Sequence, residues 1–356
     1  MRGETPGERV PLADRGGWPA VLSALLQGQD IDHDVASDAM ADILAGTATE
    51  AQIAAFAVAL RMKGETVEEL LGVLAAMRSA SEVVPVDAER LRLVDTSGTG
   101  GDRSHSINVS TLAALVVAGA GGHVAKHGNR SASSQCGSAD LLEALGVDIE
   151  LGPHGVAACI EQAGIGFCFA QRFHPAMRHA AGPRRQLGVA TLFNFLGPMS
   201  NPARVQRQVI GVADPVMAER MAVVLQRSGA VRAMIVHGDD GLDELSIGSR
   251  STVVDVIGDE VRTWTIEPAD VGVDAAPLDA VRGGDVDTNV HLTRRVLDGE
   301  LGPHRDFVVL NAAAALVVAD LADDMAGGVE LARATIDDGA AAAALDQLVE
   351  TSAAVG

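Results

Sequence analysis

Residues 95–102 read Asp-Thr-Ser-Gly-Thr-Gly-Gly-Asp, and residues 124–140 read Val-Ala-Lys-His-Gly-Asn-Arg-Ser-Ala-Ser-Ser-Gln-Cys-Gly-Ser-Ala-Asp. Both stretches are glycine- and hydroxyl-rich. Each follows a short apolar run and precedes a helical pattern. Between them lies Leu112-Ala-Ala-Leu-Val-Val-Ala-Gly119, apolar enough to be buried. Two strand ends would therefore bring two loops, each leading into a helix N-terminus, to one crevice. Helix N-termini offer free N–H groups and partial positive charge, and glycine lets backbone N–H groups approach an anion. This predicts a ligand with two separated phosphate groups.

The apolar and polar pattern around this centre predicts an α/β fold. A small N-terminal helical domain precedes a larger domain with a mostly parallel central sheet covered by helices. Residues 1–17 read as a disordered tail, 18–88 as the helical domain, and 89–356 as the α/β domain. Helices near 175–205 are expected to join the helical domain. Leu22, Leu25 and Leu26 fit one helix face, and Met40, Ile43 and Leu44 another. Thr66 followed by Glu69 is a capping box. Strands are expected at 90–95, 124–125, 165–170 and 233–236, with a hairpin from 252 to 266 turning at Gly258-Asp259. Helices are expected at 139–145, 155–162, from Pro175, and at 218–227, 306–320 and 328–337. The ligand belongs at the C-terminal ends of the strands.

The chain has 356 residues and a formal charge of −21. So acidic a surface repels nucleic acid and requires any anion site to be built locally. Lys126, Arg130, Arg184 and Arg185 carry more weight for that reason. No apolar stretch is long enough to span a membrane, and Met1 to Gly17 lack an apolar signal core, so a cytoplasmic location is expected. Cys136, Cys159 and Cys168 match no zinc or redox spacing and read as structural thiols.

Gly98-Thr-Gly-Gly101 is not a dinucleotide fingerprint, because Arg103 stands where the third glycine would fall, and no P-loop sequence occurs. Lys126, His127 and Arg130 crowd beside Ser131, Ser133, Ser134 and Ser138, where phosphate or diphosphate is the natural partner for the cations. Asp239, Asp240, Asp243 and Glu244 follow an apolar strand, which suits Mg²⁺ held by one or two carboxylates, phosphate oxygens and waters. Arg184 is a candidate for a carboxylate, since guanidinium binds one as a bidentate fork.

Taken together, Gly98-Thr-Gly-Gly-Asp102, Asn108-Val-Ser-Thr111, Lys126 to Ser134 and Gly137 to Gly146 resemble the anthranilate phosphoribosyltransferases. So do His174-Pro-Ala-Met177, Phe193 to Pro198, Asn201-Pro-Ala203, His237 to Leu245 and Leu310-Asn-Ala-Ala-Ala314, in the family's order. The resemblance implies a homodimer formed through the helical domain, and transfer of a phosphoribosyl group from 5-phosphoribosyl diphosphate (PRPP) to anthranilate. It implies that PRPP is held by Gly98, Gly101, Asp102, Ser106, Asn108, Val109, Ser110 and Thr111. Lys126, His127, Gly128, Asn129, Arg130, Ser131, Ala132, Ser133, Ser134 and Ser138 complete that set. It implies Mg²⁺ at Asp243 and Glu244 assisted by Ser110, and anthranilate at Gly98, Asn129, Arg184 and His174. Lys126, Asp243, Glu244 and Arg184 would carry the catalysis. Two positions depart from the family pattern: Arg103, where glycine is usual, and Gly182-Pro183 ahead of Arg184. Two rivals remain at this point. One is a pyrimidine nucleoside phosphorylase, which has Lys-His-Ser-Thr where this chain has Thr96-Ser-Gly-Thr99. The other is a non-catalytic or nucleic-acid-binding homologue, which the charge opposes.

Overall fold

The computed structural model describes residues 11–102, 104–131 and 135–356. The chain divides into two compact units: residues 1–81 with 176–196, and residues 82–175 with 197–356. The expected boundary at 88 thus moves to 81, and the returning segment is 176–196.

The first unit is helical. Helices Gly17–Leu26, His33–Ala45, Glu50–Lys63 and Val67–Ser79 are joined by Arg178–Leu187. Thr66 and Glu69 cap the fourth helix reciprocally, and Thr49 with Gln52 does the same for the third. Each box satisfies two otherwise orphaned backbone donors. Trp18 packs edge-on to Phe56 and donates to Asp42. Two expectations fail here. Leu26 is not on the buried face of its helix; it is 80% exposed, while Trp18, Val21 and Leu25 are buried. The chain from 11 to 17 is not a tail, because Leu12–Arg15 forms a 3-10 turn with Leu12 buried.

The second unit is built on one seven-stranded sheet. Its strands are β1 (Val94–Gly98), β2 (Val124–Gly128), β3 (Ile165–Phe169), β4 (Arg207–Gly211), β5 (Arg232–Gly238), β6 (Ser251–Ile257) and β7 (Glu260–Ile266). Their order is β3-β2-β1-β4-β5-β6-β7. The first five are parallel, and β6 and β7 add an antiparallel hairpin. The strand order reverses between β1 and β4, where a parallel sheet opens a crevice at its carboxyl edge. Gly98 and Gly211, the last residues of these two strands, are in register. The apolar helix Val109–Gly119 is buried along nearly its whole length and packs on helices Pro303–Val318 and Ala340–Val355.

The first strand starts four residues later than its apolar signal suggests, because residues 89–92 form a turn and the strand runs on into the glycine loop. β4 and the helices Val286–Leu297 and Ala340–Val355 were not expected. β4 opens with Arg207-Gln208 and has only five residues, so it lacks a strand's apolar alternation.

Candidate active site

The two loops meet at the carboxyl ends of β1, β2 and β4 around a buried charge network. Asp95 is fully buried in β1. One of its oxygens accepts from His127 N at 3.0 Å, and the other from Asn201 Nδ2 at 2.9 Å. Asn201 Nδ2 also donates to Ala125 O at 2.7 Å. β1 and β2 are thereby pinned together by side chains just before their loops begin. Burial pushes the Asp95 carboxyl up to about 6, against the pull of Lys126, Asn201 and the His127 amide. Neither Asp95 nor Asn201 was expected in the site. The available signal was a lone acid directly after Leu93-Val94, a place where an unpaired carboxylate would be costly.

Lys126 is buried in β2, with 1% of its surface exposed. Its ammonium donates to Thr96 O at 2.6 Å and to Ser110 Oγ at 3.4 Å. Burial lowers its pKa, while Asp95 and Glu244 pull it back up. The lysine is therefore a fixed cation beneath the loops rather than a mobile surface one. His127 is also buried. Its Nδ1 lies 3.0 Å from Gly197 O, and since a carbonyl only accepts, Nδ1 carries the proton and Nε2 is a bare acceptor. Burial, and then His174, push His127 down to about 3. Its ring centroid lies 5.2 Å from that of His174. Burial, followed by Arg204, lowers His174 to about 4.

The first loop turns through Gly100 and Gly101, whose φ values of 67° and 88° are ones that side chains resist. Gly100 N donates to Asp243 Oδ2 at 2.7 Å. Asp243 reaches the loop because β4 ends in glycine: a Cβ on Gly211 would stand 1.5 Å from the Asp243 carbonyl oxygen. Of the four acids after β5, Asp239 pairs with Arg250 and Asp240 accepts from Ser246 Oγ. Asp243 and Glu244 are left to face Asp102 and Lys126. Burial, and then Asp102, push Asp243 up to about 8. Glu244 is raised by burial and by Asp243. Asp102 lies beside Asp243, and its Oδ2 is buried without a protein partner. Among the described residues no group of three or more His, Cys, Asp or Glu forms a self-sufficient metal cage.

Five buried polar atoms without a protein partner lie within this region: Ser97 Oγ, Asp102 Oδ2, Thr111 Oγ1, His127 Nε2 and His174 Nε2. Buried polar groups are paired in native structures, so such a cluster at a crevice marks a ligand site.

Other loop residues hold the scaffold. Asn108 Nδ2 donates to Cys136 O, and its Oδ1 accepts from Asn289 Nδ2, so its carboxamide ties the two loops together. Arg130 is not the uncompensated cation expected from the sequence. It makes hydrogen-bonded ion pairs with Asp140 at 3.0 Å and Glu143 at 2.7 Å and lies over Phe169. Asp140 also accepts from Ser131 N and Gly137 N, closing the second loop on its own helix. Asn129 Oδ1 accepts from Gln171, and its carbonyl accepts from Ser138 Oγ. Ser106 sits in an isolated bridge with Arg282. All three cysteines are free and buried, as structural thiols should be.

Residues 90–342 match the family described as "Glycosyl transferase family, a/b domain", and residues 19–81 match its helical bundle domain. Anthranilate phosphoribosyltransferase of Thermomicrobium roseum is 52% identical over 333 residues, spanning 92% of this chain and 95% of that one. The chain belongs to the anthranilate phosphoribosyltransferase family. A crystal structure of the family's Thermus thermophilus member aligns with TM-score 0.88 at 42% identity, covering 94% of this chain and 99% of that chain. The Saccharomyces cerevisiae member, solved in complex with PRPP and Mg, aligns with TM-score 0.85 at 25% identity, covering 95% and 98% of the two chains. Two features set this chain apart from the family pattern read in the sequence. Gly182-Pro183 lies inside the helix Arg178–Leu187, with Pro183 buried. Arg103 falls outside the described residues, as do Ala132, Ser133 and Ser134. Arg184 is in the first unit, where its guanidinium stands 5.7 Å from the centre of the Phe193 ring.

Proposed function

We propose that this chain transfers the 5-phosphoribosyl group of PRPP to the amine of anthranilate, giving N-(5-phosphoribosyl)anthranilate and diphosphate in tryptophan biosynthesis. The observation that carries this reading is the crevice between β1 and β4. There, unpartnered polar atoms, a buried lysine and an acid pair converge in a chain 52% identical to an enzyme of that name. PRPP lies along the two loops, from Gly98 to Thr111 and from Lys126 to Ser138. Asp243 and Glu244, with Ser110, hold Mg²⁺. Gly98, Asn129, His174 and Arg184 receive anthranilate.

The C1–oxygen bond to diphosphate breaks and the C1–nitrogen bond forms, while the amine proton leaves to solvent. Negative charge grows on the departing diphosphate, and Lys126 and the loop N–H groups lie where they stabilise it. Bound Mg²⁺ supplies further neutralisation of that charge. The aromatic amine is neutral at pH 7, so positioning matters more than base catalysis. His127 fits that account: with its pKa near 3 it accepts a hydrogen bond but takes no proton at neutral pH. Diphosphate release should require both substrates, and thymidine with inorganic phosphate should be inert. Phosphorolysis of thymidine would return the phosphorylase reading.

Lys126→Ala should raise the KM for PRPP roughly 10- to 150-fold, the worth of a charge-assisted contact of ~1.5–3 kcal/mol, and move the anthranilate KM less. It also strips buried Asp95 of its counter-charge, so a stability loss of about 3–5 kcal/mol should accompany it. Kinetics are best measured well below the melting midpoint. An equal loss for both substrates would assign the effect to folding alone.

The assembly is a homodimer formed through the helical unit, in the cytoplasm. Supporting this, Leu26 and Met62 of that unit are 80% and 84% exposed in the isolated chain. No helix among the described residues is long and apolar enough to cross a membrane. Light scattering should give twice the chain mass, and Leu26→Asp/Met62→Asp should shift it toward one chain. A monomeric parent protein would reject the dimer.

A further inference from the structure

Asn311 is a single polar side chain within the apolar run Phe307 to Val318 of the helix Pro303–Val318, and it is 3% exposed. Asparagine is a poor helix former, and a buried carboxamide is costly unless every group is paired. Here every group is paired, and the partner is the segment after β5. Asn311 Oδ1 accepts from Leu245 N at 2.9 Å, and Nδ2 donates to Leu245 O at 3.0 Å. Nδ2 also donates to Phe307 O one turn back in its own helix, at 3.0 Å. The carboxamide thus takes the place of a neighbouring strand for a residue that belongs to no strand. Its orientation is fixed, because the acceptor must meet the N–H and the donor must meet both carbonyls.

Leu245 directly follows Asp243 and Glu244. Two residues before Leu245 the Asp243 carbonyl presses against Gly211 of β4, where no Cβ would fit. We infer that Asn311 is the positioning residue for the Asp243–Glu244 pair, gripping the backbone of Leu245 so that both carboxylates stay aimed at the first glycine loop before any cation arrives. The inference rests on the reading of that pair as the Mg²⁺ site. Asn311 touches neither substrate nor metal in this account; it acts through the Leu245 backbone.

The test uses the full chain and Mn²⁺ as the probe, titrated with PRPP present and followed by the EPR signal of free Mn²⁺. Asn311→Leu and Asn311→Ser should each weaken Mn²⁺ binding about tenfold or more, the usual size of losing a group that orients metal ligands. The anthranilate KM should stay within about twofold of the parent. Val309→Ala, two residues away on the same helix and also buried, opens a cavity without touching the clamp and should leave Mn²⁺ affinity unchanged. Equal weakening by Val309→Ala, or parent-like Mn²⁺ affinity in both Asn311 variants, overturns the inference. Asp243→Asn/Glu244→Gln tests the underlying reading separately: parent-like Mn²⁺ binding there removes the metal site itself, and the inference with it. If the Asn311 variants fail to fold, amide exchange of the metal-free parent decides. A slowly exchanging Leu245 N–H supports the preformed clamp, and exchange as fast as in an exposed turn contradicts it.

Discussion

Asp243→Asn/Glu244→Gln is expected to lower kcat about 10³-fold, the scale at which loss of charge stabilisation on a leaving group is felt. The same variant should be more stable than the parent in the absence of metal. Burial raises both carboxyl groups, reinforced by Asp102 at Asp243, which reaches about 8, and by Asp243 at Glu244. A folded-state pKa above the unfolded value of ~4 gives a contribution fully present below that value and lost as pH rises through about 8. At neutral pH most of that loss has been incurred, and uncharged isosteres avoid it. A gain of at least ~1 kcal/mol follows, the equivalent of about one displaced pKa unit. The carboxamide oxygen introduced by Asp243→Asn can still accept from Gly100 N, so the loop contact survives. Metal binding to the parent should release protons and strengthen as pH rises toward 8. A variant that lost both activity and stability would mean that the pair is structural. Unchanged turnover of the parent in excess chelator would remove the metal from the mechanism.

Arg184→Ala is expected to raise the anthranilate KM roughly 30- to 150-fold, corresponding to ~2–3 kcal/mol for a lost bidentate pair, with little change for PRPP. Anthranilate carries a carboxylate beside its amine, and a chain of charge −21 needs a local cation to hold it. Arg184 has no carboxylate partner among the described residues, and burial lowers its pKa. It stands against Phe193, a packing that keeps the planar guanidinium in one orientation. Arg184→Lys should recover only part of the affinity, since an ammonium is a point charge without a planar fork. The two KM values of the alanine variant separate the possibilities. An anthranilate KM within about twofold of the parent would take the carboxylate anchor away from Arg184.

How much the sequence disclosed depends on the distance over which each feature is encoded. The buried helix between the glycine loops and the 251–266 hairpin are local patterns, and they fold as read. The capping box at Thr66 is likewise visible in four residues. β4 was hidden because Arg207 and Gln208 make its start polar, yet this strand creates the reversal in strand order that locates the crevice. The pairing of Arg130 with Asp140 and Glu143 depends on how the second loop folds back on its helix, so a cation that looked available is already neutralised. Lys126 reads as a loop cation and turns out to be buried, because β2 extends through it to Gly128. Asp95 and Asn311 share one legible trait, a polar residue beside or within an apolar run, which Asn201, between Ser200 and Pro202, lacks. Their partners, His127, Ala125 and Leu245, lie far away in sequence, so only the fold reveals what they hold.

This chain is expected to join the ribosyl carbon of PRPP to the nitrogen of anthranilate. Anthranilate fluorescence reads that nitrogen directly. With purified protein, the signal should fall only when PRPP and Mg²⁺ are both present, and it should stop falling when chelator is added. Anthranilate fluorescence that stays constant in the complete mixture, with folded protein present, would contradict that expectation.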